Sequence, residues 1–266
     1  MENNLITLNE LGNHLPIPTK EGEKLSFTFK PWRMAEEKQI GKIKQQNRHL
    51  GKLVREIFTF MLEDFGGKPW GALSDAEQKL LLNQMSWGNI FYMYIYLRYD
   101  ALGDEMKMVD IQCPNCTHTT KEFTADLNSL EVKVNEGKYD EEAFYNLKKP
   151  FRVGEIDIEA LRLGYTPWDA MEKIKIGQQN EGDIKENMIR ASLLGAVGKE
   201  VGNVDLDKFK LLEQLTKRDI EGMYNKLDEH NGGPILGLDV KCEACGHEWH
   251  TPMNWSYDYF FGSASQ

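Results

Sequence analysis

Two short stretches, Asp110–His118 (DIQCPNCTH) and Asp239–His247 (DVKCEACGH), carry all four cysteines of the chain in one repeated pattern. Each runs Asp, aliphatic, polar, Cys, two residues, Cys, one residue, His. A C-x-x-C turn between short strands aims both sulfurs and nearby backbone N–H groups at one point. Two such turns supply four thiolates to a tetrahedral ion at about 2.3 Å each. Cys113, Cys116, Cys242 and Cys245 are therefore the candidate metal ligands, and a structural Zn²⁺ is the expected ion. A Cys₄ set also holds iron–sulfur clusters, but two hairpin-like contexts favour zinc over that alternative. The plain alternative is four reduced, buried thiols. Thioredoxin-like redox chemistry fits poorly, because neither pair opens a helix after a strand. His118 and His247 follow the pairs at the same offset. With four thiolates available, each is expected beside the ligands or on the surface rather than on the metal.

Almost half the chain separates the two pairs. Closing a loop costs only about 0.6 kcal/mol more per doubling of its length. A structural zinc site contributes on the order of 10 kcal/mol, so one ion suffices to clamp distant segments. The elements that must position the turns follow from pattern. Met106–Gln112 and Thr119–Thr124 read as strands around the first pair, and Ile235–Lys241 and Glu248–Thr251 around the second. Lys24–Lys30 alternates as a half-exposed strand. Apolar positions from Leu50 to Phe65 recur at helical spacing, which predicts one helix from Pro31 to about Asp64, stopped by Gly66-Gly67. Ser74 is a helix N-cap, and the aromatic stretch to Tyr99 continues that helix to Gly103. Leu130–Val134 and Phe151–Leu163 read as β segments. Helices are expected from Thr166 onward and over 183–197, 205–215 and 216–229, with Asn231–Pro234 (NGGP) as a breaker.

The fold class expected is α+β: a helical N-terminal region and a split zinc-ribbon-like Cys₄ module with an inserted α/β subdomain. The boundaries are 1–103 for the N-terminal strand and long helices, and 104–129 for the first zinc knuckle. Residues 130–234 form the inserted subdomain, and 235–266 the second knuckle and an aromatic tail.

Catalytic patterns are missing. His247–His250 (HEWH) is one residue short of H-E-x-x-H, and two histidines at i and i+3 beside a ribbon cysteine do not share a metal as i and i+4 do. The deaminase pattern needs Pro before its C-x-x-C, whereas Pro114 lies inside the pair. No phosphate-binding glycine loop and no G-x-S-x-G occurs, and a closed Cys₄ site leaves no position for a catalytic water. The reading is of a protein that is not an enzyme. A net charge of −10 makes general nucleic-acid binding a poor expectation. The start of the chain lacks a basic segment followed by an apolar one, and the most apolar run, Ile90–Leu97, is far shorter than the roughly twenty residues of a membrane span. A soluble chain made inside the cell is expected, with no membrane partner.

Two features point to protein contacts. Lys38, Lys42, Lys44, Arg48, Lys52 and Arg55 occur with no acid among them; this is either a solvated helix face or a docking face for an acidic partner. The aromatic stretch Trp87–Tyr99 is first of all a core helix, whose four tyrosines leave room for an interface.

The stretch Leu215–Gly262 (LTKRDIEGMYNKLDEHNGGPILGLDVKCEACGHEWHTPMNWSYDYFFG) resembles the C-terminal end of contractile-tail phage proteins related to T4-type baseplate hub and hub-assembly subunits. There a polar helix leads through a Gly turn to a strand, a Cys pair, a return strand and a terminal aromatic pair. Asp100–Val132 resembles that family's first Cys pair. The resemblance implies a structural component of the baseplate hub region, in the virion after assembly in the host cytoplasm. Its partners would be hub, tape-measure or tube proteins. The alternatives are an assembly chaperone absent from the mature particle and a nucleic-acid-binding zinc ribbon.

Overall fold

The computed structural model describes residues 4–19, 24–47, 49–135, 142–168, 170, 181–198 and 211–253. Helices and antiparallel sheets are mixed along the chain, an α+β arrangement. Strand β1 (Asn4–Thr7) runs into the single-turn helix α1 (Leu8–Leu11), which Thr7 caps in a reciprocal box with Glu10. Next come β2 (Phe27–Phe29), α2 (Met34–Gln46), α3 (Leu50–Met61), β3 (Leu62–Phe65), β4 (Lys68–Pro69), α4 (Asp75–Gln84) and α5 (Trp87–Leu102).

The single helix expected over 31–64 is two helices and a strand. Asn47 ends α2, and its side-chain amide donates to the Ile43 carbonyl (2.9 Å) and to Glu56 on α3 (2.7 Å). Leu62 and Phe65 are buried as the spacing requires, but on a strand paired with β2. A two-residue hairpin turn of type I′ needs positive φ at both central positions. Gly66 (62°) and Gly67 (74°) supply it, so the glycines turn a hairpin rather than simply stopping a helix.

Ser74 caps α4 through a capping box with Glu77, as its spacing indicates. The helix does not run on to Gly103, because a second cap, Ser86, starts α5 by accepting from the Asn89 N–H. The break is held from outside: Trp87 N–H donates to the Thr166 carbonyl, and Trp168 N–H to that of Met85. Helix α5 is buried nearly all round from Ile90 to Ile95. Two of its tyrosine hydroxyls are used internally, Tyr92 on the Gly12 carbonyl and Tyr99 on Asn128.

A second hydrophobic cluster lies under the sheet β10-β9-β8. Its hairpin is β8 (Ala143–Val153) and β9 (Ile156–Leu163), turning at Gly154; α6 (Glu181–Ser192), β10 (Leu193–Gly198) and α7 (Lys217–Asn231) follow. The helix expected over 183–197 ends at Ser192, because Leu193–Gly198 pairs with β9. Thr216 caps α7. Buried Asp219 accepts from Tyr145 Oη (3.3 Å) and the Lys148 N–H (2.8 Å), tying the start of α7 to β8. The helix expected after Thr166 beyond 170, most of that over 205–215, and the aromatic tail from Trp255 to Phe261 lie outside the described residues.

Two two-stranded ribbons complete the described residues: β5 (Glu105–Gln112) with β6 (Thr119–Asp126), and β12 (Gly237–Lys241) with β13 (Glu248–Pro252). Strand β7 (Glu131–Val134) brings them together. It follows β6 after one short turn, pairs with β1 on one side, and on the other takes β11 (Gly233–Pro234), which leads into β12. The Ile235 N–H continues that pairing onto the Glu131 carbonyl. Segments far apart in sequence therefore leave a common three-stranded sheet side by side, each carrying a ribbon.

Candidate metal centre

Each ribbon is anchored by its apolar face and presents its turn at the far end. Met106, Met108, Ile111 and Ala125 of the first, and Val240 of the second, are buried in the main cluster. Past that anchor the two turns repeat one another in their backbone hydrogen bonds. Cys113 N–H donates to the His118 carbonyl and Cys242 N–H to that of His247, both at 2.8 Å. The return bonds run from Thr117 N–H to Cys113 O and from Gly246 N–H to Cys242 O. Both Thr117 (φ 59°) and Gly246 (φ 70°) adopt the left-handed conformation.

The turns meet about a local pseudo-twofold axis. Cys113 Sγ lies 3.8 Å from Cys245 Sγ, and Cys116 Sγ 3.6 Å from Cys242 Sγ, so the first cysteine of each turn faces the second of the other. All four sulfurs lie within 4.8 Å of one another. A tetrahedron of bonds of about 2.3 Å has edges of about 3.8 Å, so the donor set fits one thiophilic ion. Cys113 and Cys242 are buried, whereas Cys116 and Cys245 are exposed.

The surrounding groups favour thiolates unequally. The backbone N–H of His247, then the Asn115 amide (3.7 Å) and Cys116, hold Cys245 down to about 6. At Cys116 the His118 N–H also favours the thiolate. Its contacts with Cys245, Cys242 and Cys113, together with desolvation, outweigh that and push it up to about 12. Sulfurs this close repel as a set of thiolates, and a bound divalent cation relieves that repulsion while displacing the remaining protons.

The four cysteines singled out by spacing thus converge. His118 and His247 contribute backbone atoms; the His247 ring lies nearly parallel to Trp249 at 6.1 Å, and neither ring belongs to the sulfur group. His250 pairs instead with Asp239 across the second ribbon at 3.2 Å. Spacing did not single out Asn115 or Thr117. Aligning the repeats would have: Asn115 stands where the second turn has Ala244, and Thr117 where it has Gly246.

Fold and site together define an α+β protein whose two strand–turn–strand units gather four thiols at one point. The family model described as T4 bacteriophage base plate protein matches residues 13–254, which include both cysteine pairs. The chain belongs to that family, a bacteriophage baseplate protein of the virion tail with other tail proteins as neighbours. No curated protein and no solved structure matches it. Among the described residues no helix is long and apolar enough to cross a membrane.

Proposed function

We propose that the chain is a structural, non-enzymatic component of the hub region of a contractile tail baseplate, and that one Zn²⁺ held by Cys113, Cys116, Cys242 and Cys245 locks a split, zinc-ribbon-like module. The observation that carries the reading is the meeting of four sulfurs from two distant turns within 4.8 Å, inside a chain of the baseplate family. That small span favours a single ion over a multi-iron cluster, and a closed sulfur set favours a structural ion over a catalytic one.

The proposed role is mechanical. A two-stranded ribbon is marginal by itself; joining two at their tips through an ion makes each the support of the other. The N-terminal helices and the inserted subdomain then become one piece with defined outer faces for hub, tape-measure or tube proteins. Quantitative mass spectrometry of purified tails tests this. A fixed ratio to the other baseplate proteins is expected. Presence in assembly intermediates and absence from finished tails would instead make the chain an assembly chaperone.

A further inference from the structure

The two turns match in backbone but not in what they offer the sulfurs. His118 N–H serves Cys116, and His247 N–H serves Cys245, as the pseudo-twofold requires. Only the first turn adds a side chain: Asn115 Nδ2 donates to Cys245 Sγ of the other turn at 3.7 Å. Its counterpart is Ala244, which has no donor, so Cys116 lacks the matching bond. Cys116 and Cys245 are also the two exposed residues of the set, while Cys113 and Cys242 are buried.

An N–H donor to a metal-bound thiolate withdraws charge from sulfur, steadies its orientation and lowers its nucleophilicity. We infer that Asn115 is a positioning residue that makes the exposed corners of the site unequal: it fixes Cys245 as the held ligand and leaves Cys116 as the exchangeable corner, where electrophiles and competing chelators begin. This role rests on the reading that the four thiols bind a metal.

The test uses the full chain loaded with Co²⁺ or Zn²⁺, with Asn115→Ala and the reciprocal Ala244→Asn as variants. Both positions are exposed, so neither substitution disturbs the core. Cobalt binding is followed by its thiolate charge-transfer band, and affinity by competition with a chromophoric chelator. Limited iodoacetamide treatment, mapped by peptide mass spectrometry, gives the order of attack. In that step sulfur bonds to the reagent's CH₂ carbon, iodide leaves, and the resulting thioether is lost as an anionic ligand.

In the native sequence Cys116 should be alkylated ahead of Cys245. Asn115→Ala should weaken metal binding about tenfold and bring Cys245 up to the rate of Cys116. Ala244→Asn should slow Cys116 several-fold and tighten binding. A wild-type chain that binds no cobalt removes the metal site and this role with it. A chain that binds normally, yet shows equal alkylation of the two cysteines and indifference to both substitutions, removes the role alone.

Discussion

At the scale of single residues, the two turns differ in how comfortably each is made. Thr117 holds a φ of 59° where the second turn has glycine. A β-branched residue there costs about 1 kcal/mol relative to glycine. Thr117→Gly should therefore raise the melting temperature of the metal-loaded chain by about 2–3 °C, read by scanning calorimetry. Asp219 makes a different point. Burial pushes its carboxyl up, but hydrogen bonds from the Thr216 hydroxyl, the Lys148 and Thr216 N–H groups and the Tyr145 hydroxyl outweigh burial and leave it below the ordinary range. A carboxylate with a depressed folded-state pKa contributes stability that is full above the unfolded value near 3.9 and is lost as pH falls toward the folded value. Asp219→Asn should cost about 1–3 kcal/mol at pH 7. Urea unfolding at several pH values should show the difference from wild type shrinking below about pH 4.

Elements are decided by where they pack, and the same substitution should act in opposite directions on two helices. In α5, a Cβ on Gly88 would sit 2.3 Å from the Asn231 carbonyl oxygen and 2.9 Å from the Ile17 side chain, where the helix start presses on the backbone leading into β11. In α2, a Cβ on Gly41 would meet nothing within 4 Å. Gly88→Ala should destabilise by about 3 kcal/mol or more, whereas Gly41→Ala should stabilise by about 0.5–1 kcal/mol; chemical denaturation of both variants checks the pair. The same dependence on packing explains what the sequence disclosed at this scale. Ser74 announces its helix because capping is a local reaction of side chain with backbone. The break at Ser86, and the strand character of Leu62–Phe65 and Leu193–Gly198, depend on partners distant in sequence. Leu62 and Phe65 suit a helix face as well as a strand face until Phe27–Phe29 lies beside them.

For the whole molecule, the cysteine repeat was legible because metal chemistry restricts residue type and spacing together. The support beneath it was not. Strand β7 places the two ribbons side by side, yet nothing in Glu131–Val134 names Asn4–Thr7 and Gly233–Pro234 as its partners. Pairing between distant strands is fixed by the closed core, not by local pattern. The tyrosines of α5 illustrate the limit from the other side. The hydroxyls of Tyr92 and Tyr99 are spent inside the protein, so the case for α5 as an interface weakens. Removing the ion should act locally within this frame. With a chelator present, amide exchange should accelerate in β5, β6, β12 and β13, which are two-stranded ribbons, while α5 keeps its protection.

In this picture one ion joins the two turns. Native mass spectrometry of the full-length chain, purified without chelator and then titrated with zinc, addresses it directly. Saturation at one zinc per chain is expected, with protons displaced on binding, and loss of that species in a Cys113→Ser, Cys242→Ser variant. A chain that stays metal-free under excess zinc, or one whose zinc survives loss of both buried cysteines, would contradict it.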